Sequence, residues 1–211
     1  IPAGKVPSRG RAVEPPQLAE RRVILRDERV RQPSFGRYYM APTRNARDGL
    51  APALTVAAEI LSGSTGPLYQ GLVVELGVAA GAGAYYSGNA LDHGRFGVWM
   101  SPNRDSDVAT MEMEMDLLLE KILEEGVAPD DVELAQSTIR ARSIYARDSV
   151  ASLGRRVGIG LAMGLKVEEI TGWTNEVAAV TAADVNAALR FVLERRRSVT
   201  GLLLPAEDAS L

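Results

Sequence analysis

Hydrophobic and polar residues alternate in two segments near the start of the chain. Within residues 20–29 and 34–40, β-branched and aromatic side chains alternate with charged ones, as in Phe35, Arg37 and Tyr39. Because successive side chains of a strand point to opposite faces, this period of two predicts two half-buried β-strands. One face of each strand is expected to meet helices.

The same alternation recurs in residues 78–87 and 94–101. In the second of these segments Phe96, Val98 and Met100 fall on one face, and a turn sequence separates the two segments. Together they predict a strand pair.

Between the two strand pairs, the spacing of apolar residues changes to that of a helix. Residues 48–61 predict an amphipathic helix that ends at Ser62 and Gly63, and residues 67–76 predict a second helix after a short Gly/Ser loop. The first helix has its apolar positions at i, i+3 and i+4, namely Leu50, Leu54, Ala57, Ala58 and Leu61.

The second half of the chain, residues 106–195, has helical spacing throughout. A first helix ends at Gly126, a second begins at Pro129 and extends through Tyr145, and a last one follows a capping box at residues 181–184. The apolar stripe of the first helix comprises Val108, Met111, Met115, Leu118, Leu119 and Ile122. Its acidic residues are interpreted as a solvated face: Glu112, Glu114, Asp116, Glu120, Glu124 and Glu125.

The order of these elements determines the expected fold class. Residues 198–204 predict a closing strand, and the strands and helices do not alternate as in βαβ units. The sequence therefore predicts an α+β fold with two layers, an antiparallel sheet backed by helices. Residues 1–17, rich in Pro and Gly, are expected to be an interdomain linker, and residues 18–211 a single domain.

Composition excludes several classes of function. The 211 residues carry a net charge of −3 with no dense Lys/Arg block, which argues against nucleic-acid binding, and no apolar stretch is long enough for a membrane span. No cysteine is present, so disulfides and thiolate chemistry are excluded. The chain begins at Ile1, and we expect it to be a fragment whose true N-terminus and any signal peptide have been removed.

The residues also offer little for catalysis. His93 is the only histidine, and it lies in a predicted turn without the second histidine of an H-x-x-E-H or H-E-x-x-H site. A hydroxyl nucleophile would lack a positioned base for the same reason. We therefore predict no catalytic residue, no metal site and no cofactor in this chain, and an inventory typical of a packing and interaction domain.

A family resemblance is carried by residues 60–79, in which a Gly/Ser loop precedes a Leu-Tyr helix and a Gly-Val-Ala strand entry. This block resembles the zinc peptidases of the pitrilysin/insulinase (inverzincin) family. Residues 126–134, 180–185 and 200–205 are similar to the interhelix turn, closing helix and closing strand of the same lobe. The resemblance is to the second, non-catalytic C-terminal lobe, whose fold is that of mitochondrial-processing-peptidase-like metallohydrolases.

The resemblance implies a division of labour between lobes. In the family, an N-terminal lobe holds zinc through an H-x-x-E-H helix, and the second lobe closes over it to form a peptide chamber. This chain is then expected to be a chamber wall and assembly surface, inactive alone, whose zinc belongs to the missing N-terminal lobe. Its expected partners are that lobe, a homologous subunit and a peptide substrate.

The second lobe of these peptidases often supplies an Arg and a Tyr, seven residues apart, that hold the substrate. In the matching positions this sequence has Val73 and Ala80, which cannot donate hydrogen bonds to a developing oxyanion. Two alternatives fit: a bacterial two-subunit peptidase in which a partner chain carries the Arg/Tyr pair, or a purely scaffolding subunit as in respiratory complexes. From bacterial relatives we expect a periplasmic location, with the cytoplasm as the alternative.

Overall fold

The structure is a computed structural model that describes residues 15, 17–46, 48–103 and 107–206. Of the predicted linker it describes only Pro15 and Gln17, so that prediction falls almost wholly outside the described residues.

A five-stranded sheet forms one layer of the domain, with the strand order β1-β5-β2-β4-β3. All neighbouring strands are antiparallel except β1 and β5, which are parallel. The predicted α+β class, a sheet backed by helices, is confirmed. The strands are β1 (Arg21–Asp27), β2 (Ser34–Ala41), β3 (Ala79–Ser87), β4 (Gly94–Pro102) and β5 (Ser198–Pro205).

Helices form the second layer and supply most of the core. Each predicted helix is present, and the second continues after its first turn as a π-helical segment, Gln70–Glu75. The helices are α1 (Leu50–Leu61), α2 (Pro67–Tyr69), α3 (Val108–Glu125), α4 (Pro129–Tyr145), α5 (Val150–Ala162), α6 (Val167–Ala178) and α7 (Ala182–Val192).

Local sequence signals explain where these helices begin and end. The carboxylate of Asp107 accepts a hydrogen bond from the Thr110 amide at the start of α3, and Gly126, with φ of 76°, ends the helix. A left-handed φ is unfavourable for residues with a Cβ, so glycine is suited to that position. Ser62 ends α1 and ties it to the sheet, because its hydroxyl accepts a hydrogen bond from the Ala84 amide at 3.0 Å.

The capping box predicted before the last helix is confirmed. The Thr181 hydroxyl accepts from the Asp184 amide at 3.2 Å, and the Asp184 carboxylate accepts from the Thr181 amide at 2.9 Å. Both bonds satisfy amide groups that have no partner within α7.

We expect Thr181→Ala to lower the free energy of unfolding by about 1 kcal/mol, the usual cost of losing an N-cap side chain. Because the hydrogen bonds from Thr181 lower the pKa of Asp184, the loss should shrink in acid as that carboxyl is protonated. Urea titrations at neutral and acid pH measure both effects. The matched control is Thr171→Ala on the exposed face of α6; an equal loss there would contradict the assigned cap.

Strand β1 differs from its prediction. Val23, Ile24 and Leu25 are 60, 52 and 57% exposed, so neither face of the strand is buried. The expectation that helices cover one face is confirmed for β2 and wrong for β1. The reason is position, because α1 and α2 pack against the opposite edge strand, β3, whereas the main neighbour of β1 is β5.

The apolar stripe of α3 is confirmed as core. Met111, Met115, Leu119 and Ile122 are buried, while Leu118 is half-buried and lies against Gly71. The acidic face of the same helix is only partly as predicted, because Glu112 is buried.

Glu112 and Asp116 bind the buried guanidinium of Arg37 and are not part of a solvated face. Arg37 is 1% exposed and donates to Glu112 at 2.6 Å, to Asp116, and to the hydroxyl of Thr200 at 3.1 Å. Burial alone lowers the pKa of Arg37, but the hydrogen bond and charge of Asp116 outweigh it, and the pKa is raised. A buried charge requires such partners.

Exposed arginines extend this ionic cluster. Arg22 of β1 pairs with Glu112, and Arg195 pairs with Asp116 at 2.9 Å. The cluster thus connects strands β1, β2 and β5 to helix α3.

Candidate functional site: the open face of the sheet

The two faces of the sheet have different surroundings. Phe35, Tyr39, Phe96, Val98 and Met100 point toward the helices and belong to the hydrophobic core. The residues that alternate with them point away from the helix layer. We call that second surface the open face.

Strand register aligns residues of the open face in rows across the sheet. One row has two glycines between Val23 and Trp99 and a third glycine beyond Trp99, in the order Val23, Gly201, Gly36, Trp99 and Gly83. The next row contains two tyrosines and one glycine: Arg21, Val199, Tyr38, Gly97 and Tyr85. Aromatic side chains thus stand beside glycines across the middle of the sheet.

The glycines make room for these rings to lie against the backbone. A Cβ placed on Gly83 would lie 3.1 Å from Nε1 of Trp99, and one on Gly97 would lie 2.6 Å from Cε1 of Tyr85. The Tyr38 ring covers Gly36 in the same way. Since Trp99 remains 41% exposed, the face presents aromatic surface to solvent.

Arg95 projects from β4 beside the two tyrosines. Its guanidinium carbon lies 5.4 Å from the ring centroid of Tyr38 and 5.4 Å from that of Tyr85. The rings meet edge to face, with centroids 6.4 Å apart. Burial raises the pKa of Tyr85, and the Arg95 charge acts in the opposite direction. This cation–π arrangement restricts the guanidinium to one place on the open face.

A groove of about 440 Å³ crosses the open face between β1 and β4. Its floor includes Gly36 and Gly201. A Cβ on Gly201 would approach only the Gly36 carbonyl oxygen, at 3.8 Å, so the space above it is open. Apolar side chains form its rim: Val23, Leu25, Tyr38, Trp99 and Leu203.

Of the two positions singled out in the sequence, Val73 precedes the edge strand β3 and Ala80 lies within it. Val73 is half-buried in the π-helical segment and packs against the core. Ala80 is exposed and is the extra residue in a β-bulge between Ala79 and Gly81. Neither side chain contributes a polar group to the open face.

His93 lies in the turn between β3 and β4, as predicted, and its side chain is exposed. It borders a cavity of about 440 Å³ together with Met40, Phe191 and Arg197. Across the described ranges, no three Asp, Glu or His side chains converge on a point where a metal ion could bind. Nor does any helix in that part of the chain have the length and apolar character to cross a membrane.

The open face was not predicted, although its signal is in the sequence. In β4 the core residues Phe96, Val98 and Met100 alternate with Arg95, Gly97 and Trp99. The apolar residues alone are enough to predict the strand. The alternating residues, with Gly97 next to Trp99, indicate a second surface with a role beyond folding.

Sequence comparison identifies one matching family. Residues 1–139 match the model of the family described as the peptidase M16 inactive domain. No curated protein matches the chain.

Solved structures share the fold at low sequence identity. A protease from Helicobacter pylori superimposes with a TM-score of 0.83 at 18% identity, over 92% of this chain and 46% of that one. An inactive peptidase domain from Bordetella parapertussis has a TM-score of 0.77 at 20% identity, over 89% and 97% of the two chains. The periplasmic protease PqqL from Escherichia coli has a TM-score of 0.67 at 15% identity, over 89% and 21%. The chain therefore spans about half of the Helicobacter protease and nearly all of the Bordetella domain.

Proposed function

This chain belongs to the M16 peptidase family as an inactive peptidase domain, and from that premise we propose that it is the non-catalytic lobe of a zinc endopeptidase. Its open face would form one wall of a peptide-binding chamber, opposite a zinc-bearing lobe. The zinc would activate water in that other lobe. The residues of the open face bind and orient the peptide and exclude water from it.

The observation that carries this proposal is the exposed aromatic surface on the open face. A sheet that served only as a scaffold could present polar residues to solvent on its outer side. Here the open face instead carries Trp99 at 41% exposure and Val23 at 60%. Exposed apolar surface of this kind is typical of binding sites.

Assembly is the second part of the proposal. Val73 and Ala80 occupy the positions at which the family's substrate-holding Arg and Tyr are expected, so those donors would come from a homologous partner subunit. The proposed location of this assembly is the periplasm, where the structurally similar protease PqqL is also found. Cell fractionation tests that location.

The test of the chamber wall is Trp99→Ala in the full-length protein combined with its partner. We expect KM for a quenched fluorescent peptide to rise several-fold while kcat changes little, because the ring would contact substrate away from the reacting bond. The matched control is Tyr145→Ala, which removes an aromatic ring that is 75% exposed on the helix layer.

Two results would count against the proposal. An equal KM change for both variants would show that Trp99 does not contact substrate. Absence of cleavage by every combination of parent and partner, with zinc present, would favour the scaffolding alternative.

A further inference from the structure

The open face carries more positive than negative charge, although the whole chain has a net charge of −3. The charged side chains on its described strands are Arg21, Asp27 and Arg95, and the Asp27 carboxylate is held by Arg29 at 2.8 Å. No described carboxylate forms an ion pair with Arg95. We infer that the open face selects extended peptides in which a carboxylate and a bulky apolar side chain are four residues apart. This inference rests on the proposed function and specifies its substrate class.

Arg95 is suited to bind the carboxylate. The tyrosine rings beside it hold the guanidinium in place at 5.4 Å from each centroid. A guanidinium carries five N–H donors, so one that also interacts with the Tyr85 hydroxyl retains others, and two parallel N–H groups match a carboxylate. Because the rings already restrict the side chain, less conformational entropy is lost when the ligand binds.

The groove is suited to the apolar side chain. Gly201 keeps its floor low, and Val23, Leu203 and Trp99 are among the apolar residues at its rim. A leucine or phenylalanine side chain entering there would be removed from water on several sides, which stabilises the complex by the hydrophobic effect.

The spacing of the two sites determines the peptide pattern. Arg95 and Trp99 are four positions apart on the same strand, a distance of roughly 13 Å in extended backbone. In an extended ligand that follows the strand direction, residues i and i+4 point to the same side and are separated by the same distance. Residues three apart point to opposite sides.

Binding of fluorescein-labelled peptides to the full-length protein tests the inference, with chelator present so that no peptide is cleaved. The peptides have Glu, Gln or Lys and, four residues later, Leu; a fourth peptide has Leu only three residues after Glu. We expect the first Glu peptide to bind roughly tenfold more tightly than the Gln peptide, as for a hydrogen bond to a charged group. Fluorescence anisotropy measures each Kd.

Variants of the exposed Arg95 provide the decisive comparison. Arg95→Gln should remove the preference for Glu, and Arg95→Glu should reverse it in favour of the Lys peptide. Arg155→Gln, an exposed arginine on α5, is the matched control and should keep the preference. Thermal unfolding of each variant shows that the fold is retained.

The possible failures separate the inference from the proposed function. If all peptides bind equally and Arg95→Gln has no effect, but Trp99→Ala weakens binding, the charge selection is overturned and the chamber wall stands. If Trp99→Ala has no effect either, both are overturned. A Glu preference that survives Arg95→Gln and is lost in Arg21→Gln would overturn the assignment of Arg95.

Discussion

Replacing Arg37 with methionine should destabilise the domain by about 3 kcal/mol, the lower end of the cost of breaking a buried ion pair, because Glu112 then keeps only the more exposed Arg22 as a counter-charge. Arg37 is 1% exposed, and the side chain of its partner Glu112 is only 9% exposed. Chemical denaturation followed by circular dichroism measures the change.

Two further variants test the explanation. Arg142→Met removes an ion pair with Glu59 in which the arginine side chain is 68% exposed, and we expect a loss of about 0–1 kcal/mol. Arg37→Met combined with Glu112→Gln should recover part of the stability, since position 112 then carries no buried charge. If Arg37→Met and Arg142→Met lower the free energy of unfolding equally, then the carboxylates of α3 do not stabilise Arg37 as a buried cation.

The second large effect concerns catalysis by the assembled protein. Val73 and Ala80 cannot act as the substrate-holding Arg and Tyr of the family. If a partner subunit supplies that pair, the full-length parent of this chain and the partner should each be inactive alone and active when mixed. Changing the partner's Arg to Ala should reduce kcat by about a hundredfold or more, the usual cost of removing an oxyanion donor. Cleavage of a quenched fluorescent peptide measures all four preparations.

The control is a partner variant in which an exposed arginine outside the chamber is changed to alanine, which should keep full activity. If the parent alone cleaves at the rate of the mixture, Val73 and Ala80 do not indicate a missing half-site. That result would contradict dependence on a partner and leave the domain's membership of its family unchanged.

Local sequence signals were sufficient for most elements of this fold. The alternation in β2 and β4, the heptad-like spacing in α3 and the capping box at Thr181 each depend on residues close together in the chain. The family resemblance was also local, since it rested on contiguous blocks such as residues 60–79. These features were therefore predicted correctly.

Features that depend on long-range contacts were missed. Glu112 and Asp116 have the spacing of an ordinary acidic helix face, and only their contact with Arg37, more than seventy residues away, shows why they are enclosed. The exposure of β1 likewise follows from its place at the edge of the sheet opposite to the one that α1 and α2 cover, and not from its composition. The alternation of β4 indicated two faces without showing which neighbours Trp99 and Arg95 would have.

The sequence by itself thus determined the strands, the helices, the fold class and the absence of cysteine and of a histidine pair, because periodicity, capping and composition are properties of neighbouring residues. Only the tertiary structure decided that Arg37 is neutralised by α3, that Arg95 lies beside Tyr38 and Tyr85, and that the rings of Trp99, Tyr38 and Tyr85 each lie against a glycine. The physical reason is strand register: pairing β5 between β1 and β2 brings Gly201 beside Gly36 and Val23, residues that no local pattern relates to one another.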